Sequence, residues 1–308
     1  MVIVINVLLA SYKGQAYLPA QIDSIMQQQE VLLRLYISDD ESATQCFNSL
    51  CNVLPSEYLQ RLHLQDGPRQ GVNANFLSLI QRQEVCAHDL YAFSDQDDVW
   101  LSGKLSRAQT HLNRGKMLPM LYMGRSTICG TQLKPLFLSK GMPREASFKN
   151  ALLESAAGGN TMVFNAPTLS LLQTVTHPVH HDWLTYMIVS ACGGKVVFDD
   201  TPNVLYRQHE SNLSGSNRGL KAKLVRLKKI LNNDFRCWAE DNIKALQPIL
   251  DDMTAENRRV YEGFVRLHNM RGWHRCFSRL ALFQKIGLYR QRRLEHYGFM
   301  LAAFLGKI

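Results

Sequence analysis

Residues 89–100 read Asp89-Leu90-Tyr91-Ala92-Phe93-Ser94-Asp95-Gln96-Asp97-Asp98-Val99-Trp100. The stretch opens on a short apolar run, the pattern of a strand buried on both faces. It closes on three carboxylates within four residues. Carboxylates this close repel one another, and a turn can carry them when a cation sits among them. A hard divalent cation with oxygen ligands, Mg2+ or Mn2+, suits the donor set best, and magnesium is usually held by one or two carboxylates together with substrate phosphates. The residues alone leave a second reading open, a solvated acidic loop capping a helix that starts near Ser102.

The same succession of strand, polar cluster and helix recurs on the N-terminal side. Residues 2–10 are almost continuously apolar and stop at Ser11-Tyr12, and residues 32–38 form a second strand that stops at Asp39-Asp40-Glu41-Ser42. Between them, Tyr17, Leu18, Ile22, Ile25 and Met26 recur at helical spacing over 15–28. A helix follows the second strand to about residue 52, residues 60–65 alternate as a short strand, and residues 73–85 are helical. This order predicts an α/β fold, a mostly parallel sheet flanked by helices. Ligands of such sheets bind beyond the carboxyl ends of the strands. The three polar clusters are therefore expected to converge on one edge. Later strands are expected at 159–165, 195–199 and 203–207, with helices near 148–156, 166–175 and 181–192; beyond Asn217 the pattern turns helical, broken at Gly219 and Gly272.

Composition narrows the function classes. With 308 residues, 46% of them apolar and 20% charged, the chain is neither disordered nor fibrous. Its seven cysteines are scattered, with no CxxC pair, which argues against a disulfide framework or a structural zinc site and for reduced thiols in the cytoplasm. The apolar start lacks a basic n-region and reads as a strand, and no apolar run reaches the 18 residues of a membrane span. Residues 1–217 carry 16 basic and 18 acidic side chains, whereas residues 218–308 carry 19 and 8. The chain is accordingly divided into a catalytic domain, 1–217, and a helical basic C-terminal region, 218–308. No Walker A loop and no G-x-G-x-x-G occurs, so the P-loop and dinucleotide-binding readings lack their signature.

Six segments carry a resemblance. They are Val7-Leu8-Leu9-Ala10-Ser11-Tyr12-Lys13-Gly14, Gln21-Ile22-Asp23-Ser24-Ile25, Ile37-Ser38-Asp39-Asp40-Glu41-Ser42, Phe93-Ser94-Asp95-Gln96-Asp97-Asp98-Val99-Trp100, His181-Asp182-Trp183, and Leu205-Tyr206-Arg207-Gln208-His209-Glu210-Ser211-Asn212. In this order the chain resembles the inverting GT-A glycosyltransferases of family 2, and within them the bacterial rhamnosyltransferase-like branch, over about residues 2–215. The resemblance implies a GT-A, Rossmann-like sheet. It implies that Ala10, Ser11 and Tyr12 line the donor nucleotide, that Asp40 reads a pyrimidine imide, and that Asp95 contacts the ribose or helps to hold the carboxylate cluster. It makes Asp97 the principal metal ligand with Asp98 and His209 in support, Arg207 a diphosphate contact and Asp182 the catalytic base. Trp100, Gly159, Asn160 and Trp183 fall to the sugar or acceptor, with a place in the core equally open to Trp183. Glu41 and Glu210 stand where many relatives have glycine.

The residues themselves keep plainer alternatives in view. Asp39 and Asp40 suit a helix N-cap, and so does Asp182 at the head of an amphipathic helix. Gly158-Gly159-Asn160-Thr161 suits a plain turn. His177, His180 and His181 match no ordinary zinc spacing. In the basic region, Leu220, Leu224, Leu227 and Leu231 share one helical face, and Trp273, Phe277, Leu280, Leu282, Phe283, Ile286, Leu288 and Tyr289 stand among arginines and lysines. Basic amphipathic helices with aromatic anchors suit an anionic membrane surface, and equally a bundle packed on the catalytic domain or a dimer interface. No nucleic-acid motif accompanies the charge.

The function expected from all this is inverting transfer of one sugar, rhamnose favoured, from a dTDP- or UDP-linked donor to a saccharide acceptor of a bacterial surface polysaccharide. The enzyme would work in the cytoplasm, with a lipid-linked acceptor bringing it to the inner face of the plasma membrane. Two rivals remain: a nucleotidyltransferase, for which Ser11-Tyr12-Lys13-Gly14-Gln15 is a poor triphosphate loop, and an inactive transferase-like scaffold.

Overall fold

A computed structural model of the chain describes residues 3–86, 89–112, 117–208 and 234–308. Its centre is a nine-stranded sheet: β1 (Val4–Ser11), β2 (Leu32–Asp39), β3 (Leu62–Asp66), β4 (Leu90–Ser94), β5 (Val99–Trp100), β6 (Met120–Cys129), β7 (Pro135–Leu138), β8 (Val163–Asn165) and β9 (Lys195–Arg207). The strand order is β3-β2-β1-β4-β8-β6-β9-β5, with β7 hairpinned onto β6. The first four strands pair in parallel, as the alternation of strand and helix requires. β1 and β4 lie in the middle and are buried almost throughout, which is why they read as unbroken apolar runs.

Antiparallel β8 joins this half to the second, where β6 and β9 run parallel and β5 and β7 add antiparallel pairs. The sequence reading had no strand at β6, although Met120, Leu121, Tyr122 and Met123 are fully enclosed there. The two late strands expected at 195–199 and 203–207 are one, β9. Its register slips against β6 near Gly124 and Arg125, opposite the Asp199–Pro202 segment. A proline cannot donate to a ladder, so such a slip is where one is tolerated.

The helices are α1 (Leu18–Met26), α2 (Ala43–Cys51), α3 (Ser56–Leu59), α4 (Val72–Gln81), α5 (Lys104–Leu112), α6 (Phe148–Ala151), α7 (Ala166–Gln173), α8 (His181–Ala191), α9 (Asp234–Leu246), α10 (Ala255–Asn269), α11 (Cys276–Lys285) and α12 (Arg293–Leu305). Of the last four, α9 meets α8 and α10 meets α6, while α11 packs on α10 and α12 on α11. Phe235, Phe264, Phe283, Leu288 and Phe299 share one apolar core with Phe148, Trp183 and Met187. Polar ties seal the seam: Arg290 to Glu154 at 2.7 Å, Lys149 to Glu256 at 2.8 Å, and the Asn257 amide to the Ser190 and Ala191 carbonyls. Packing against the N-terminal half thus accounts for Phe283 and Leu288, in line with the packed bundle that was one of the two readings of this region. Gly272 breaks the chain at φ +88°, where a side chain would be strained. The amphipathic stretch 220–231 lies outside the described residues. No helix among the described residues is long and apolar enough to cross a membrane.

Candidate functional site

The register of the parallel strands aligns their polar ends. Ser11 pairs with Asp39, Asp39 with Asp66, and Leu9 with Ser94, so the loops after β1, β2 and β4 leave the sheet side by side. The convergence read from the sequence is therefore a property of the sheet.

Gln96, which the sequence reading passed over, locks two of these loops together. Its amide oxygen accepts from the Tyr12 N–H at 2.8 Å and from the Ser11 hydroxyl at 3.1 Å, and its amide nitrogen donates to the Tyr12 carbonyl at 3.1 Å. Ser11 is buried, whereas Tyr12 stands 54% exposed at the mouth of the edge. Lys13 follows in the left-handed region at φ +51°, strained for a residue with a side chain.

The aspartate pair after β2 divides its work. Asp39 accepts the N–H groups of Glu41 and Ser42, both at 2.9 Å, at the start of α2. The helix-start reading thus holds for Asp39, and Ser42 is the N-cap proper, accepting from the Gln45 N–H. Asp40 reaches across to the loop before α4, accepting from Arg69 N–H at 3.0 Å and Gly71 N–H at 3.2 Å. Gly67 lies so close to the Asp40 carboxylate that a Cβ there would collide with it. A carboxylate has about four acceptor positions, so two backbone donors leave Asp40 capacity for a further N–H.

The three carboxylates of the 95–98 cluster are not equivalent. Asp98 is fully buried; its oxygens accept from the Asn160 amide and, at 3.2 Å, from the Arg207 N–H. Burial, then Asp95 and Asp97, push its carboxyl well above the usual carboxylate range. Asp98 and Asn160 are thus tied to each other inside the protein. Asp95 and Asp97 are only half-buried. Asp95 is pushed up to about 7 by burial first and then by the Asp97 and Asp182 charges, with Lys104 opposing.

Lys104, on the first turn of α5, is the second residue the sequence reading missed. It is fully buried, donates from Nζ to the Asn160 carbonyl at 2.6 Å, and sits 3.2 Å above the Trp100 ring centroid. Removal from water drives its ammonium well below the usual lysine value, while Asp98 and Asp95 pull it back up. Lysine at the head of a helix carries no sequence signal for this, because its burial depends on what covers it.

Arg207 is also a strut. Its Nε donates to the Asp97 carbonyl at 2.9 Å, a second guanidinium nitrogen donates to the Thr131 carbonyl, and the group lies 4.9 Å from the Tyr17 ring centroid. It therefore holds the carboxylate loop in place, where the sequence suggested a clamp on diphosphate. Trp100 and Trp183 are 3% and 7% exposed. The first is covered by Lys104, and the second packs on Phe235 and Trp238 with its indole N–H on the Ala151 carbonyl. Both rings are enclosed in this structure, and Trp183 takes the core role that its sequence also allowed.

Asp182 lies in the first turn of α8, half-buried, its carboxylate accepting from the Trp183 N–H at 2.7 Å. Its charge is felt at Asp95, so the fold has brought together two motifs far apart in the chain. The three histidines before it disperse. His177 pairs with Asp241, His180 faces Trp238, and His181 stacks on Phe76 and meets Phe93 edge-on. Gly159 abuts His181 so closely that any side chain there would strike the ring.

His181 Nε2 is buried with no hydrogen-bond partner, and burial lowers the imidazole to about 4. The folded value lies below the ordinary 6.5, so the folded protein resists protonation and loses stability as pH falls from 6.5 towards 4. The loss expected from this group is about 3 kcal/mol. Urea midpoints measured between pH 7 and pH 4 should fall more steeply for the wild type than for His181→Phe; parallel curves would remove His181 as the cause.

Among the described residues, no group of three or more His, Cys, Asp or Glu side chains could hold an ion alone. Asp95 and Asp97 suit instead a divalent cation shared with a phosphate ligand, which would relieve the repulsion that raises Asp95. His209 lies outside the described residues.

Comparison with known proteins agrees with this architecture. No protein-family model matches the chain. A Shigella flexneri protein named dTDP-rhamnosyl transferase RfbG is 25% identical over 272 residues, covering 83% of this chain and 89% of that protein. Among solved structures, S. aureus TarS 1–349 in complex with UDP-GlcNAc superposes with a TM-score of 0.52 at 12% identity, covering 98% of this chain and 90% of that one. The mannosyltransferase PcManGT from Pyrobaculum calidifontis, in complex with GDP-Man and Mn2+, superposes at 0.51 with 15% identity, covering 98% and 85%. The fold is that of the GT-A glycosyltransferases.

Proposed function

We propose that the chain is a divalent-cation-dependent glycosyltransferase. It moves one sugar, rhamnose favoured, from a dTDP- or UDP-linked donor to a saccharide acceptor of a surface polysaccharide, with inversion at the transferred carbon. The observation that carries this is that the charge of Asp182, at the head of α8, acts on Asp95 in the carboxylate loop at the carboxyl edge of a GT-A sheet. The named activity of the Shigella relative supports the rhamnosyl donor, and the ligands bound by TarS and PcManGT support a nucleotide sugar with a divalent metal.

In this proposal Ala10, Ser11 and Tyr12 line the nucleotide, and the Asp40 carboxylate accepts the imide N–H of the pyrimidine. Asp95 and Asp97 hold the cation together with the donor diphosphate, His209 assisting, and Asp98 braces them from inside. The cation supplies charge neutralisation to the diphosphate as it leaves. Asp182 takes the proton of the acceptor hydroxyl as its oxygen attacks the sugar, and a single displacement inverts the attacked carbon. The reaction would take place in the cytoplasm.

A thermal-shift panel tests the donor site. dTDP- and UDP-linked sugars should raise the melting temperature only in the presence of Mn2+ or Mg2+; a ligand at 100 times its dissociation constant adds about 2.7 kcal/mol of stability. The effect should vanish in Asp97→Asn. A folded wild type that responds to no nucleotide would refute the assignment.

A further inference from the structure

The outer surface of the C-terminal hairpin has no use in the donor site. α12 packs inward through Phe299, Ala302 and Ala303. Outward it presents Leu294, Tyr297, Leu301 and Leu305, which are 78%, 62%, 53% and 45% exposed. Their spacing of three, four and four residues keeps them on one stripe of the helix, about 16 Å long. The stripe continues across to α11. Phe304 beside it meets Phe277 edge-on at 5.4 Å, and Phe277 and Trp273 are 78% and 86% exposed.

This surface is held rigidly. The buried Arg279 donates to the Ala303 and Phe304 carbonyls at the end of α12 and to the Gly272 carbonyl beside Trp273, at 3.0, 2.7 and 2.8 Å. The exposed aromatic and aliphatic groups are therefore presented on a braced platform.

Its charge is one-sided. Residues 271–308 contain eight Lys or Arg and a single acid, Glu295. Glu295 is already engaged by Lys140 at 2.7 Å and Arg290 at 3.3 Å. Arg275, Lys285, Arg292 and Arg293 are exposed. Two copies of such a face would repel, so the charge demands an acidic occupant. A long apolar stripe with Trp, Phe and Tyr, rimmed by arginines, is what the boundary between headgroups and acyl chains accommodates.

We propose that α11 and α12 dock on an anionic lipid bilayer, with the Leu294–Leu305 stripe, Phe277 and Trp273 entering the interface and the flanking arginines meeting lipid phosphates. This rests on the surface alone and stands apart from the donor-site reading.

The test is co-sedimentation of the full chain with vesicles of phosphatidylcholine alone and with vesicles that also contain phosphatidylglycerol. Binding is expected only to the latter, weakening as salt rises. It should fall roughly tenfold or more in Arg292→Glu/Arg293→Glu, since each basic side chain near such a surface counts for about 1 kcal/mol. It should fall likewise in Trp273→Ser/Phe277→Ser, with melting temperatures unchanged because all four side chains are exposed. Absence of binding, equal binding to neutral vesicles, or wild-type binding by both variants would overturn the proposal. A dimer in sedimentation velocity that Leu301→Asp dissolves would overturn it in favour of a second copy of the chain.

Discussion

Asp182→Asn is expected to lower the sugar-transfer rate by about 10²–10⁴-fold, the usual contribution of a positioned general base. The amide keeps an oxygen for the Trp183 N–H, so the first turn of α8 retains its hydrogen bond. The substitution removes only the capacity to take a proton, and it removes one of the charges that raise Asp95. Donor binding with metal should therefore persist in the thermal-shift panel while single-turnover transfer collapses. That split separates a base from a cap. If transfer continued at the wild-type rate, Asp182 would be a helix-capping residue, and the proton acceptor would have to be sought elsewhere on the edge.

Lys104→Met is expected to destabilise the protein by about 1–3 kcal/mol, the usual cost of leaving a buried acceptor without its donor. Methionine fills much the same volume, so packing on Trp100 survives and the loss is electrostatic. It would leave the Asn160 carbonyl without its donor and Asp98 without its nearby cation. Urea denaturation reads the effect directly. Adding Asp98→Asn to Lys104→Met should recover part of the loss, because the buried charge is then gone as well. A loss below about 1 kcal/mol in the single variant would mean that Lys104 is not charged in the folded protein and that Asp98 is held by hydrogen bonds alone.

The structure also explains why some of these residues could be named in advance and others could not. β1 and β4 were legible because a strand covered on both faces must be apolar along its length, β2 because its buried positions alternate with exposed ones, and the point where each stops is marked by Ser11, Asp39 or Asp95. β6 carries an equally buried run but ends in no polar cluster, and its neighbours β8 and β9 come from later in the chain. Nothing local announces it.

Within the edge, the order of residues along the chain established which chemical groups are present: a carboxylate triplet after β4, an aspartate pair after β2 and a lone aspartate opening α8. It could not rank them. Asp95, Asp97 and Asp98 look alike in a row, yet the ladder between β5 and β9 brings the Arg207 N–H to Asp98, and the turn before β8 brings the Asn160 amide. The same holds for Trp100 and Trp183, enclosed by Lys104 and Phe235, and for α11 and α12, where packing covers Phe283 and Phe299 and leaves Trp273 and Leu301 in water. Residue type and period are local properties, so they could be read directly. Burial of a charge or a ring is a property of everything that closes over it, and that emerges only once distant segments have packed.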